Sequence, residues 1–201
     1  MRYTPDHKDA TRRQLLAASA AHAKRHGFAA SGMDALAGAA GLTVGALYKH
    51  FSGKDALFAE LVASDLQRSA QLFDGLPEDD AEALIRLLSG YLSLRHVDAP
   101  EAGCPLPALS AEVARAPAPV RQAFQGGLQA LHHALARRLG DARLAWTLLA
   151  QASGAVLLAR ALPDEAAQRA LLAGVRESVA AQIRAARSGP DAQTSAADLR
   201  R

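Results

Sequence analysis

Residues 31–54 read SGMDALAGAAGLTVGALYKHFSGK, and their spacing predicts two short helices joined by a glycine turn. Met33, Leu36 and Ala37 recur at helical intervals behind Ser31, whose hydroxyl is expected to serve orphan amides at the helix start. Gly41 suits a left-handed turn position, and Leu42 then points an apolar side chain into the angle between the helices. Thr43 is expected to cap a second helix over residues 44–51, with Leu47 and Phe51 on its core face. Thr43, Gly45, Ala46, Tyr48, Lys49 and His50 are left facing elsewhere. An exposed helix with small residues early and Tyr and Lys late suits the major groove of duplex DNA.

The run LTVGALYKHFSGKDALF, residues 42–58, resembles the DNA-binding domain of the TetR family of bacterial regulators. Gly27-Phe28, Ser31, Ala40-Gly41-Leu42, Gly45, Leu47-Tyr48, His50-Phe51 and Lys54 carry the resemblance together and in order. It covers roughly the first 60 residues, and the remainder is similar to the family in length and helical texture. Members usually place a bulky Phe four residues before the glycine at Gly27, often with a Leu before it, whereas this chain has Ala23 and His22. Met33, Phe28 or Phe51 is expected to fill the lost volume, since a cavity there destabilises the domain. His22 reads as a partly exposed helix residue.

Charge supports contact with a polyanion at one end of the molecule. Residues 1–54 hold eight Lys or Arg against three acids, while the remaining 147 residues carry 15 basic and 17 acidic groups. A basic head on a near-neutral body is the footprint of a nucleic-acid binder. Ala and Leu dominate, and aromatics make up only 4%, which favours closely packed helices and no sheet. Cys104 is the only cysteine, so an intrachain disulfide and a cysteine-based zinc cluster are excluded. No run of about 18 apolar residues and no signal-peptide pattern stands out, so a soluble, cytoplasmic protein is expected.

The fold expected is all-α, with a three-helix DNA-binding domain over residues 1–53, a larger helical effector-binding and dimerisation domain over 54–187, and a disordered tail over 188–201. Residues 1–9 read as a mobile arm, in which Arg2 and Lys8 are solvated. A helix is expected over 10–26, turning Leu15, Leu16, Ala18 and Ser19 inward and Arg12, Arg13, Lys24 and Arg25 outward. Ser52-Gly53 then leads into a helix over 54–73 with Leu57, Leu61, Leu66 and Leu72 buried. Gly75-Leu76-Pro77 breaks it, and Glu78, Asp79 and Asp80 open a helix over 81–96. Residues 97–107 read as a loop, 105–115 as a short helix, and 120–139 as a long helix with Phe124, Leu128, Leu131 and Leu135 inward. Helices over 142–162 and 164–187 close the chain, and Ser153, Gly154, Gly174 and Ser178 among their leucines mark a symmetric four-helix dimer interface.

No catalytic motif is present, so no enzyme and no cofactor is expected. His132 and His133 point about 100° apart on one helix and do not share a metal ion. The expected partners are double-stranded DNA, a small-molecule effector and a second copy of the chain, with no membrane. Thr43, Val44, Gly45, Ala46 and Tyr48 are the candidates for base edges or the groove wall, and Ser31, Lys49, His50 and Lys54 for phosphates. The resemblance speaks most directly for Tyr48 and Lys54. It also implies a repressor of a palindromic operator, released when an effector shifts the helix over 54–73. Tyr91, His96, Cys104, Phe124, Leu128, His132 and Trp146 are the candidates for the effector pocket. Two rival readings stand beside it. One is an oxidant or electrophile sensor through Cys104, at a helix start where amide dipoles could lower its thiol pKa, although a lone cysteine among alanines and leucines is more often inert packing. The other is a helical small-molecule carrier or enzyme with an incidental basic head.

Overall fold

Helices form every regular element among the described residues, as an Ala- and Leu-rich chain poor in β-branched residues requires. The computed structural model describes residues 5–77 and 79–187. In chain order the helices are α1 (Pro5–His26), α2 (Met33–Ala39), α3 (Val44–Tyr48), α4 (Lys54–Asp74), α5 (Ala81–Tyr91) and α6 (Leu94–Asp98). A 3-10 turn at Pro100–Ala102 follows, then α7 (Leu106–Val113), α8 (Ala118–Leu139), α9 (Ala142–Ala161) and α10 (Glu165–Arg187). The chain packs as two units, one formed up to residue 69 together with 99–131, the other from 70–98 together with 132 onward. The division falls within α4 and within α8.

In the first unit α1, α2 and α3 close over Leu15, Leu36 and Leu47, and α4 adds Leu57, Leu61 and Val62, all fully buried. Leu109 and Val113 of α7 and Val120 of α8 complete the same core. Each large aliphatic side chain buried this way contributes about 1.5–3 kcal/mol. Gly41 takes a φ of 68°, the left-handed conformation expected of it, and Leu42 packs half-buried against the core. Ala23 is fully buried in the same core cluster. Phe28 and Phe51 are buried, and Phe28 stacks on Phe58 of α4 with centroids 4.0 Å apart and rings 11° from parallel. Gly127 marks the approach of α8 to α4, since a Cβ there would stand 2.8 Å from Leu66 Cβ and 2.9 Å from its Cδ1.

In the second unit α10 packs on both α9 and α5, and α6 packs on α9. Asp80 caps α5 by accepting from the Ala83 amide at 2.7 Å, and Asp141 caps α9 through the Arg143 and Leu144 amides. Gln151, Ser178 and Gln182 join α9 to α10 through hydrogen bonds of 3.0–3.1 Å. Arg138 donates to the Phe73 and Asp74 carbonyls at 2.9 and 2.7 Å, at the end of α4.

Several elements depart from the sequence reading. α1 begins at Pro5, so 5–9 are helical, because proline is well suited to a first helical position; residues 1–4 of the expected arm, with Arg2, lie outside the described residues. The expected tail at 188–201 and Glu78 lie outside them too. Lys24 is buried, not outward, because Asp65 of α4 faces it as a counter-charge. Leu72 is 58% exposed: the buried stripe of α4 passes from Leu57, Leu61 and Asp65 to Val62, Leu66, Ala70 and Phe73, rotating Leu72 out. The helix expected over 81–96 breaks after Tyr91, where the Ser93 hydroxyl donates to Gly90 O at 2.7 Å and accepts from the His96 amide at 3.4 Å, starting α6. Most of the expected 97–107 loop is taken up by the end of α6, the 3-10 turn and the start of α7.

Candidate nucleic-acid interface

α3 is held from beneath and open above. Leu47 and Phe51 are buried at 0% and 2% exposure, while Thr43, Gly45, Tyr48 and Lys49 are exposed, Tyr48 at 55%. Val44, Ala46 and His50 are half-buried. Thr43 caps the helix as expected, accepting from the Ala46 amide at 3.3 Å. α3 itself ends at Tyr48, so Lys49 and His50 stand on the turn that follows and not on the last turn of a helix. α1 buttresses α2: Gln14 donates to Ala40 O at 2.9 Å and Ser19 to Leu36 O at 3.2 Å.

Ser31 does not cap α2. Gly32 occupies the cap position without a side-chain bond, and Ser31 is buried with its hydroxyl donated to Gly27 O at 2.6 Å. The short reach back across the turn satisfies a carbonyl at the end of α1, an alternative open to serine. Lys54, at the first residue of α4, is half-buried. Its ammonium donates to Ala29 O at 3.0 Å and lies 5.2 Å from the Phe28 ring centroid. Lys54, Phe28, Phe58, Glu112 and Arg115 line one open cleft of about 310 Å³.

Part of the basic excess is spent inside the unit. Lys24 pairs with Asp65, Arg12 with Glu60 and Arg25 with Glu101. Lys8, Arg13, Lys49 and Lys54 are left without an ion pair among the described residues. The exposed Arg25–Glu101 pair raises the Arg25 pKa and lowers that of Glu101, in both cases chiefly through their mutual hydrogen bond. His50 is held below the usual histidine range, first by burial and then by the positive charge of Lys8 and Arg12. Its Nδ1 is buried and has no hydrogen-bond partner among the described residues.

The effector candidates fall into separate groups. In the second unit the His96 ring meets Tyr91 edge-on with centroids 4.3 Å apart, and Tyr91 Oη lies 3.4 Å from Ser153 Oγ. There too His132 stacks on Trp146 at 4.1 Å and places Nε2 2.8 Å from Ala142 O. Cys104, Phe124 and Leu128 belong to the first unit, where Phe124 packs against the core. Cys104 is buried, and burial pushes its thiol pKa up. The Leu106 amide and the Ser69 hydroxyl pull the other way but are outweighed by burial.

Glu112, Glu101 and Asp65 escaped the sequence reading. Asp65 had a signal: it stands four residues after Leu61 and eight after Leu57, so a carboxylate continues a leucine stripe and needs a buried partner. Glu112 had none, because its partners are backbone amides 83 and 84 residues away.

Residues 15–61 match the TetR_N family, described as bacterial regulatory proteins of the tetR family. No curated protein sequence matches the chain. Among solved structures, the reduced form of NemR from E. coli is similar at 22% identity with a TM-score of 0.68, covering 84% of this chain and 96% of that one. A TetR-family transcriptional regulator from Agrobacterium tumefaciens is similar at 22% identity and a TM-score of 0.66, covering 85% and 98%. The regulator FadR from Bacillus subtilis, solved in complex with stearoyl-CoA, is similar at 17% identity and a TM-score of 0.61, covering 85% and 96%. At these identities the likeness is one of fold.

Proposed function

Residues 15–61 belong to the TetR family of bacterial regulatory proteins, and from that premise we propose that the chain is a sequence-specific DNA-binding transcriptional regulator. It acts in the cytoplasm as a repressor, bound to a palindromic operator as a homodimer and released by a small-molecule effector. The observation that carries this reading is α3 itself, anchored by Leu47 and Phe51 with Thr43, Gly45, Tyr48 and Lys49 turned to solvent. Tyr48 is a large side chain left 55% exposed, and the width of a major groove suits such a helix. Lys49, His50 and Lys54 stand toward phosphates, and Ser31 contributes by holding the turn ahead of α2.

Dimerisation is assigned to α9 and α10. α9 exposes Trp146 at 44%, Leu157 at 54% and Leu158 at 59%, and a Cβ built on Gly154 or Gly174 would meet no atom within 4 Å. Length and composition alone would let α9 cross a membrane, with a mean hydropathy of 1.3. Yet its Gln151 is hydrogen-bonded to Ser178 of α10, and a second copy of the same face covers the leucines without burying that polar pair in lipid. For the effector, the noncovalent pocket is preferred over the thiol sensor, because a buried Cys104 with a raised pKa holds little thiolate at neutral pH.

The test is to incubate purified protein with fragmented DNA from its own genome and sequence what is retained. Enrichment of one inverted repeat is expected, whose spacing reflects the two-fold symmetry of a dimer. Retention without sequence preference, or none, overturns the reading.

A further inference from the structure

The segment between Pro100 and Val113 returns to the end of α1 at three places within the first unit. Glu101 takes the Arg25 guanidinium in two hydrogen bonds of 3.1 and 2.9 Å. Gly103 O accepts from Lys24 Nζ at 2.7 Å. Glu112 of α7 receives the two amides just beyond Gly27: Phe28 N donates to Oε1 at 3.0 Å and Ala29 N to Oε2 at 2.5 Å. The fit is close, since a Cβ at Gly27 would lie 3.3 Å from Glu112 Oε1. One carboxylate therefore closes the connection between α1 and α2 from its N–H side.

The other side of the same connection is held by Lys54. Ala29 donates its amide to Glu112 and accepts the Lys54 ammonium on its carbonyl at 3.0 Å, while the Phe28 ring lies beneath that ammonium. Charge-assisted bonds of this kind are about twice as strong as neutral ones. We infer that Glu112 is a positioning residue for DNA binding: by fixing the Phe28–Ala29 amides it sets where the Lys54 ammonium stands. The inference rests on the regulator reading above. It assigns work to α7, an element outside the matched 15–61 segment.

The sign of the effect separates this role from bulk electrostatics. Glu112→Gln removes a negative charge from a protein that binds a polyanion, which by itself strengthens attraction. Loss of positioning does the opposite. The experiment measures binding of wild type, Glu112→Gln, Glu112→Asp, Lys54→Ala and the Glu112→Gln/Lys54→Ala double variant to the duplex retained from the genome, with circular dichroism on each. The expected result is that Glu112→Gln binds about tenfold more weakly than wild type while folding normally, and that Glu112→Asp recovers part of the loss. In the Lys54→Ala background the further loss shrinks to less than about twofold, the mark of two residues acting through one contact. Glu112→Gln binding as tightly as wild type or tighter overturns the inference, and so does an additive double variant. Wild type that retains no duplex overturns the regulator reading and this inference with it.

Discussion

Lys24 Nζ stands 2.8 Å from Asp65 Oδ2, and the two side chains, each 2% exposed, join α1 to α4 inside the first unit. Arg68 approaches the other carboxylate oxygen at 2.8 Å. Neither contact has hydrogen-bond geometry at the Asp65 oxygens, so the attraction is one of charge on charge. Removing Asp65 leaves the buried Lys24 ammonium without a counter-charge, whereas removing Lys24 leaves Asp65 with Arg68. Asp65→Leu is accordingly expected to destabilise the protein by about 3–5 kcal/mol, and Lys24→Met with Asp65→Leu by much less. Urea denaturation of the two single variants and the double variant measures this, and an additive double variant contradicts the pairing.

Lys54→Ala should weaken binding to every DNA sequence alike and reduce the salt slope by about 0.9, one phosphate's share. Sequence preference should be unchanged. Titrations of the retained duplex between low and moderate salt read both, and an unaltered slope removes Lys54 from the phosphate contacts.

His50 carries a pH prediction. Its folded pKa lies below its unfolded value, so the unfolded chain takes up a proton first as pH falls. Its contribution to stability is complete above about 6.5, the unfolded value, and is lost as pH drops through the window down to the folded pKa. In His50→Asn that part of the decline should be absent. Thermal melts of both proteins between neutral and mildly acidic pH test it, and parallel curves would exclude a His50 contribution.

A charge on the exposed apolar face of α9 should separate the proposed dimer. Leu157→Glu together with Leu158→Glu is expected to give a folded monomer by sedimentation, because neither leucine is needed for the core of its own chain. A dimer that survives both changes moves the interface elsewhere.

Cys104 should resist modification. Burial raises its pKa, so native protein at neutral pH is expected to react with an alkylating reagent at least about tenfold more slowly than the same chain in denaturant. Fast labelling that releases DNA from wild type and not from Cys104→Ser would restore the thiol sensor.

The head was legible where local chemistry decides geometry. Gly41 had to turn, Thr43 had to cap, and Leu47 with Phe51 had to face inward; each does. Lys24 and Glu112 were illegible for one reason, that their partners lie far along the chain and a charge read alone is assigned to solvent. Ser31 was misread because a serine before a helix can serve the helix ahead or the carbonyl behind, and the sequence does not choose. The pocket candidates were selected for bulk with a polar tip, a criterion that a ring pair such as the buried His132 and the exposed Trp146 also meets without any ligand.

Gly127 and Leu66 set how α4 and α8 can move against each other within the first unit. Leu66 rests on the one stretch of α8 that lacks a side chain, and the next positions on that face, one turn away, are Ala123, Phe124, Ala130 and Leu131. Every one of them carries a Cβ where Leu66 needs none. A one-turn slide of α8 along α4 in either direction would therefore set a Cβ against Leu66, a cost that tilt about the glycine does not carry.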